Sequence, residues 1–96
     1  EAMLPDCDGI FAATDAIAVT CLQELRKRSL SLPRQVRLVG FDDLPIAGQT
    51  TPRLTTVRQD IAAGAKGLVD LLLRRLAGED TESLVMPPHL IQRETA

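Results

Sequence analysis

The sequence predicts an α/β fold built on a parallel sheet, and three observations indicate it. The apolar run 9–13 does not alternate with polar residues, which is typical of a strand covered on both faces by helices. A segment of helical periodicity follows, and then a second strand-like run, 36–41. Two strands joined by a helix-length crossover form a parallel pair with a right-handed connection, so we expect a strand, helix, strand unit.

The first helix is expected to begin at Asp15 and to continue for about three to four turns. Aspartate is a residue type that caps helix amino termini, and the basic residues 26–28 would lie at the negative end of the helix dipole. The apolar positions that share one helical stripe are Ile17, Ala18, Cys21, Leu22 and Leu25.

A loop, a strand and a second helix are expected next. The segment 44–53 is rich in turn residues, and the β-branched run 54–59 follows it. Asp60 is a candidate cap for a helix that begins at Ile61, and Gly78 is in place to end that helix.

Two short strand candidates, 84–86 and 90–92, lie near the end of the chain. Pro87 and Pro88 separate them, which excludes one uninterrupted central strand.

Two glycines, Gly64 and Gly67, fall inside the second predicted helix. Each destabilises a helix by about 1 kcal/mol relative to alanine. We therefore expect close packing at these positions, against another stretch of backbone.

Composition restricts the class of protein. The chain has 96 residues, 45% hydrophobic and 25% charged, a balance typical of folded proteins and of one modest core or a piece of a larger one. A net charge of −2 has the wrong sign for a nucleic-acid-binding module. The apolar runs are too short to span a membrane. Cys7 and Cys21 are too far apart for a metal or redox motif and are expected to be free thiols.

A ligand site is expected beyond the carboxyl ends of the predicted parallel strands. Thr14 and Asp15 follow the first strand, and Asp42 and Asp43 follow the second. Carboxylates there suit a neutral polyol, because an ionised Asp accepts hydrogen bonds from neighbouring hydroxyls. Asp15 is equally well explained as a helix cap and Asp43 as a turn residue. Asp42 is the stronger candidate, since no helix begins after it.

Neither an enzyme nor a cofactor site is expected. His89 is the only histidine, and no Ser or Cys motif accompanies it, so we predict no catalytic residue, no metal and no cofactor. The acidic residues and Thr14 are compatible with metal-assisted phosphoryl transfer, but no lysine stands at a later strand end to complete such a site.

Three segments in this order and spacing, 8–15, 39–43 and 51–60, resemble the C-terminal third of the lactose/galactose repressor (LacI/GalR) family. The resemblance implies a periplasmic-binding-protein-like (type I) effector domain of which this chain is a C-terminal fragment. It assigns 1–53 and 84–96 to the C-terminal lobe and 54–59 to an interlobe crossover. It assigns the helix within 60–78 to the N-terminal lobe, most of which the chain lacks.

The same resemblance implies roles for individual residues. Asp42 matches the effector-binding aspartate, Gln59 matches a cleft residue beside the crossover, and Thr14 stands where the family usually has asparagine. With Asp15, these are the predicted ligand-binding residues. The predicted dimer surface comprises Val19, Leu22, Ile46, Gln49 and Thr50. For the helical members of that list, core packing is an equal alternative.

The resemblance predicts the effector-binding and dimerisation part of a cytoplasmic transcription repressor. Its effector would be a small molecule, a sugar or a nucleobase derivative. The protein would be a homodimer without membrane association, and it would contact DNA only through a headpiece absent from this chain. The alternative is a periplasmic sugar-binding protein of a transport system. An isolated fragment would expose Leu68, Leu72 and Leu76, so we expect it to be an oligomer or to swap segments.

Overall fold

The computed structural model describes residues 8–96, so Cys7 lies outside the described residues. Within residues 8–96, four strands, two α-helices and a 3-10 helix follow one another. In order they are β1 (Gly9–Phe11), α1 (Asp15–Lys27), β2 (Arg37–Phe41), the 3-10 helix (Pro45–Gly48), β3 (Thr55–Arg58), α2 (Ile61–Leu76) and β4 (His89–Ile91). The order of elements agrees with the predicted α/β pattern.

The chain divides into two compact units. Within the described residues, the first unit comprises 8–58 and 89–96, and the second comprises 59–88. The segment 84–88 thus falls in the second unit, whereas the family resemblance places it with the first. The assignment of the units to the lobes of a complete domain stays a prediction.

The four strands form one sheet in the order β1-β2-β3-β4. The β1-β2 and β2-β3 pairs are parallel, and β4 pairs antiparallel with β3. The parallel β1-β2 pair joined by α1 confirms the predicted unit. The carboxyl ends of the three parallel strands therefore meet at one edge of the sheet.

The first helix buries Ala18, Leu22 and Leu25 of its predicted apolar stripe, whereas Ile17 is 50% exposed. Its cap also differs from the prediction. Thr14 is the N-cap residue, and its hydroxyl accepts a hydrogen bond from the Ile17 amide at 3.2 Å. The prediction that Asp15 caps the helix is wrong, because its buried side chain accepts hydrogen bonds from the Leu44 amide and the Thr56 hydroxyl instead. The main core cluster of the first unit consists of Ala12, Ala18, Leu22, Leu38, Ala47 and Leu54, and Leu25 and Val36 are also buried.

The segment after β4 returns to the core through Thr95, which is fully buried. The Thr95 hydroxyl donates to the Leu38 carbonyl at 2.6 Å and accepts from the Thr55 amide at 2.9 Å. The Leu38 amide in turn donates to the Thr95 carbonyl. One residue thus joins the amino ends of β2 and β3 and satisfies backbone groups that the ladder leaves unpaired.

In the second unit, both predicted ends of α2 are confirmed. Asp60 caps the helix by accepting a hydrogen bond from the Ala63 amide, and Gly78 follows its end with φ +87°. Most large apolar side chains of α2 are more than half exposed, whereas Leu71 is half-buried. The exposed ones are Ile61, Leu68, Val69, Leu72, Leu73 and Leu76. No helix within residues 8–96 combines the length and apolarity needed to cross a membrane.

The predicted strand 84–86 is wrong, because this segment lies along α2 and not in the sheet. Gly67 accommodates Leu84, whose Cδ2 would be 2.6 Å from a Cβ at position 67. Gly64 has Met86 as its neighbour, with the Met86 sulfur 3.9 Å from such a Cβ. The partners of the two glycines are therefore side chains, and the expectation of a neighbouring backbone is wrong.

Candidate ligand-binding site

The polar residues that follow β1 and β2 lie at the same edge of the sheet. Phe11 pairs with Val39 in the parallel register, so Thr14 and Asp42 follow these partners at the same distance along the chain. The pairing continues past Phe11, since the Ala12 amide donates to the Val39 carbonyl at 2.8 Å. The structure therefore places the two predicted segments side by side.

Asp15 fastens this edge together from inside the core. Its Oδ2 accepts a hydrogen bond from the Leu44 amide at 2.6 Å, and its Oδ1 accepts one from the Thr56 hydroxyl at 2.6 Å. The side chain is fully buried, so it offers no surface to a ligand. We therefore leave Asp15 out of the proposed ligand contacts and regard it as the residue that ties α1 to the loop after β2.

Two consecutive residues after β2 have left-handed backbone conformations. Asp42 has φ +113° and Asp43 has φ +54°. Residues other than glycine rarely adopt such values, and where they occur the surrounding structure holds them in place. Here the Asp42 amide donates to the Val57 carbonyl at 2.8 Å, and the Asp43 amide donates to the Thr56 hydroxyl at 3.3 Å.

The Asp43 carboxylate lies between two arginines. Its Oδ1 accepts a hydrogen bond from Nη2 of Arg93 at 2.8 Å, and its Oδ2 accepts one from Nε of Arg58 at 2.8 Å. Nη2 of Arg58 forms an ion pair with the same Oδ2, also at 2.8 Å. Burial alone would raise the pKa of Asp43, but the hydrogen bonds and positive charges of Arg93 and Arg58 outweigh burial and lower the pKa. Asp43 is therefore occupied by internal partners.

Asp42 is different, because its carboxylate has no hydrogen-bond partner among the described residues. The residue is half-buried and directly follows the last residue of β2. An ionised carboxylate can accept several hydrogen bonds, and residues 8–96 use none of that capacity at Asp42. Asp42 is the chemically available group of the acidic pair.

Gln59 is the first residue of the second unit, and it is exposed. It lines a groove of about 430 Å³ within that unit, together with Asp60, Ile61, Leu68 and Met86. The groove is largely apolar, in keeping with the exposed face of α2.

The predicted dimer residues separate into a buried one and accessible ones. Leu22 is only 3% exposed and belongs to the core, so the core-packing alternative describes it and we leave it out of the proposed dimer surface. Ile46 and Gln49 are exposed, and Val19 and Thr50 are half-buried.

The sequence analysis did not predict that Arg58 and Arg93 bind a carboxylate, and it described Asp43 as a turn residue without these ion pairs. Arg93 is separated from Asp43 by 50 residues, and only the pairing of β4 with β3 brings its segment near. No local pattern could have joined these residues. Within residues 8–96, no group of three or more His, Cys, Asp and Glu side chains is arranged to hold a metal ion.

Comparison with known proteins identifies the family. The model of the periplasmic binding protein-like domain matches residues 1–96. The chain is 34% identical over 90 residues to the lactose operon repressor of Rhizobium radiobacter and covers 80% of that sequence. The chain belongs to the LacI-type periplasmic-binding-protein-like family. This membership confirms the predicted resemblance and fold class.

Other members of this family extend the comparison. The transcriptional regulator CelR of Thermobifida fusca is 37% identical over 93 residues, which are 95% of this chain and 27% of CelR. A solved structure of a CelR–cellobiose complex superimposes with a TM-score of 0.85 at 36% identity, covering 96% of this chain and 29% of the other. The chain thus spans about a quarter of the length of these regulators.

Proposed function

We propose that this chain is the effector-binding and dimerisation part of a transcription regulator that responds to a sugar. The observation that carries the proposal is the Asp42 carboxylate at the carboxyl ends of parallel strands, which has no hydrogen-bond partner within residues 8–96. The related proteins are transcriptional regulators, and the structure of one of them was solved in complex with cellobiose. These relationships favour a regulator over a transport protein. The same relationships support a non-enzymatic role in the cytoplasm.

A neutral polyol fits the groups that the first unit offers. Asp42 can accept hydrogen bonds from ligand hydroxyls. The Thr14 hydroxyl already accepts the Ile17 amide, so its own proton is left to donate to a ligand oxygen. An asparagine side chain at this position would offer one acceptor and two donors. Thr14 therefore offers a ligand fewer hydrogen-bonding groups than asparagine would. Gln59 stays a proposed effector contact on the family resemblance alone.

Regulation would follow from a shift between conformations. An effector that binds one conformation more tightly than another changes their populations by that difference in affinity. We propose a homodimer in which Val19, Ile46, Gln49 and Thr50 contribute to the subunit interface. DNA binding would reside in a headpiece outside this chain.

Isothermal titration of the full-length protein with cellobiose, maltose, D-galactose and D-ribose tests the proposal. We expect one of these sugars to bind, and Asp42→Asn to weaken its binding about 10- to 100-fold, because a charge-assisted hydrogen bond is lost. Asp8→Asn is the matched control, since Asp8 is an exposed carboxylate before β1, at the opposite end of the strand. Unchanged affinity in Asp42→Asn would refute the assigned role.

A further inference from the structure

We propose that Asp43 is a positioning residue for effector binding, which holds Asp42 in its binding conformation through Arg58 and Arg93. The inference rests on the proposed function, because it requires that Asp42 contact the effector. It assigns a role to three residues that make no ligand contact themselves.

The turn after β2 requires an external restraint. Asp42 and Asp43 both have positive φ values, and neither is a glycine. A free chain would relax such a pair toward ordinary backbone angles, since L-residues populate this region rarely. The restraint must therefore come from contacts that the turn makes with the rest of the unit.

Backbone contacts on either side of the turn fix its ends. The Asp42 amide is bonded to the Val57 carbonyl, and the Leu44 amide is bonded to the Asp15 carboxylate. These contacts do not depend on the Asp43 side chain. Its loss should consequently leave the sheet and the anchored ends of the turn in place.

The Asp43 side chain adds a restraint at the centre of the turn, beside the hydrogen bond from the Asp43 amide to the Thr56 hydroxyl. The side chain is only 9% exposed, and its two carboxylate oxygens bind Arg93 and Arg58, one each. Arg93 is itself fixed, because its Nη1 donates to the Leu54 carbonyl at 3.0 Å. A carboxylate held at both oxygens cannot rotate freely, so the backbone of Asp43, and with it the direction of Asp42, is restricted.

The division of partners within the acidic pair supports this role. Asp43 pairs with both arginines, whereas the Asp42 carboxylate has no partner in the part of the chain that the structure describes. Loss of the Asp43 carboxylate would leave both guanidinium groups without this partner at the turn that carries Asp42. Asp43 thus occupies the two arginines itself and, through them, orients Asp42.

A double-mutant cycle on the full-length protein tests the inference, with affinity measured for the sugar that binds the wild type. We expect Asp43→Asn to weaken binding about tenfold, and to have no further effect in the Asp42→Asn background, because the two residues act as one. Equal effects in both backgrounds, or wild-type affinity in Asp43→Asn, would overturn the inference. Loss of binding in Asp42→Asn with normal Asp43→Asn binding refutes this inference alone. Unchanged binding in Asp42→Asn refutes the proposed function.

A second comparison decides the matter if Asp43→Asn does not fold. Arg58→Gln removes one of the two ion pairs of Asp43, and Arg53→Gln is its matched control. The two arginine side chains are 56% and 58% exposed, each is paired with one carboxylate, and Arg53 pairs with Glu94 away from the turn. We expect about threefold weaker sugar binding in Arg58→Gln and no change in Arg53→Gln. Equal losses in both variants would show a general charge effect and overturn the inference.

Discussion

The Asp15 carboxylate accepts a hydrogen bond from the Thr56 hydroxyl at 2.6 Å, and both side chains are fully buried. This contact links the first turn of α1 to β3 across the intervening strand β2. The second Asp15 oxygen accepts the Leu44 amide, so one carboxylate fixes the helix, the sheet and the loop after Asp43. The edge that carries the proposed site is built around this residue.

Replacing Asp15 by alanine is expected to lower the free energy of unfolding by about 2–4 kcal/mol, because the Thr56 hydroxyl and the Leu44 amide lose their acceptor. Urea denaturation followed by circular dichroism measures the change. Asp8→Ala, which removes an exposed carboxylate, should alter stability by less than about 0.5 kcal/mol. A loss in Asp15→Ala no larger than that of the control would contradict the structural role.

Gly40→Ala is expected to lower the free energy of unfolding by about 1–3 kcal/mol through overpacking. An added Cβ would collide with Oδ1 of Asp15 and lie 3.1 Å from Cδ2 of Leu54 and 3.2 Å from Cβ of Ala18. The Asp15 oxygen cannot move without breaking its bond to Thr56. Gly48→Ala is the matched control, because nothing lies within 4 Å of a Cβ at that position. Thermal unfolding of the two variants should separate them, and equal melting temperatures would argue against the close approach at Gly40.

The ion pairs of Asp43 predict a specific pH dependence of stability. Arg93 and Arg58 lower the folded-state pKa of Asp43 below its usual value of 3.8, against the effect of burial. A group whose pKa is lowered by folding stabilises the protein above its unfolded-state pKa, and this contribution is lost as the pH falls through the folded-state pKa.

The difference in unfolding free energy between the wild type and Asp43→Asn should accordingly be constant near neutral pH and shrink as the pH falls below 3.8. Urea unfolding of both proteins across this range measures it, and the comparison cancels groups that titrate equally in the two proteins. A difference that does not change with pH would show that the Asp43 carboxylate is not stabilised by its arginines.

Much of the fold could be predicted because its signals are local. The unbroken apolar run of β1, the stripe of α1 and the cap at Asp60 each follow from a few neighbouring residues. The strand predicted for 84–86 was wrong, because the neighbours in space decide whether a short apolar segment pairs in a sheet or packs on a helix. The cap of α1 is Thr14 and not the predicted Asp15, because the Asp15 carboxylate is hydrogen-bonded to the Leu44 amide and the Thr56 hydroxyl.

By itself, the sequence determined the α/β class, the parallel unit, the family, and Asp42 as the leading ligand candidate. These depend on periodicity, residue type and spacing along the chain. Only the tertiary structure decided which of the acidic residues is available. Asp15, Asp42 and Asp43 have the same side chain but different surroundings. The buried Asp15 carboxylate is hydrogen-bonded to Thr56, and the Asp43 carboxylate is bound by two arginines that are distant in sequence. Hydrogen-bond partners depend on the arrangement of residues in space, and among the described residues 8–96 that arrangement gives the Asp42 carboxylate none.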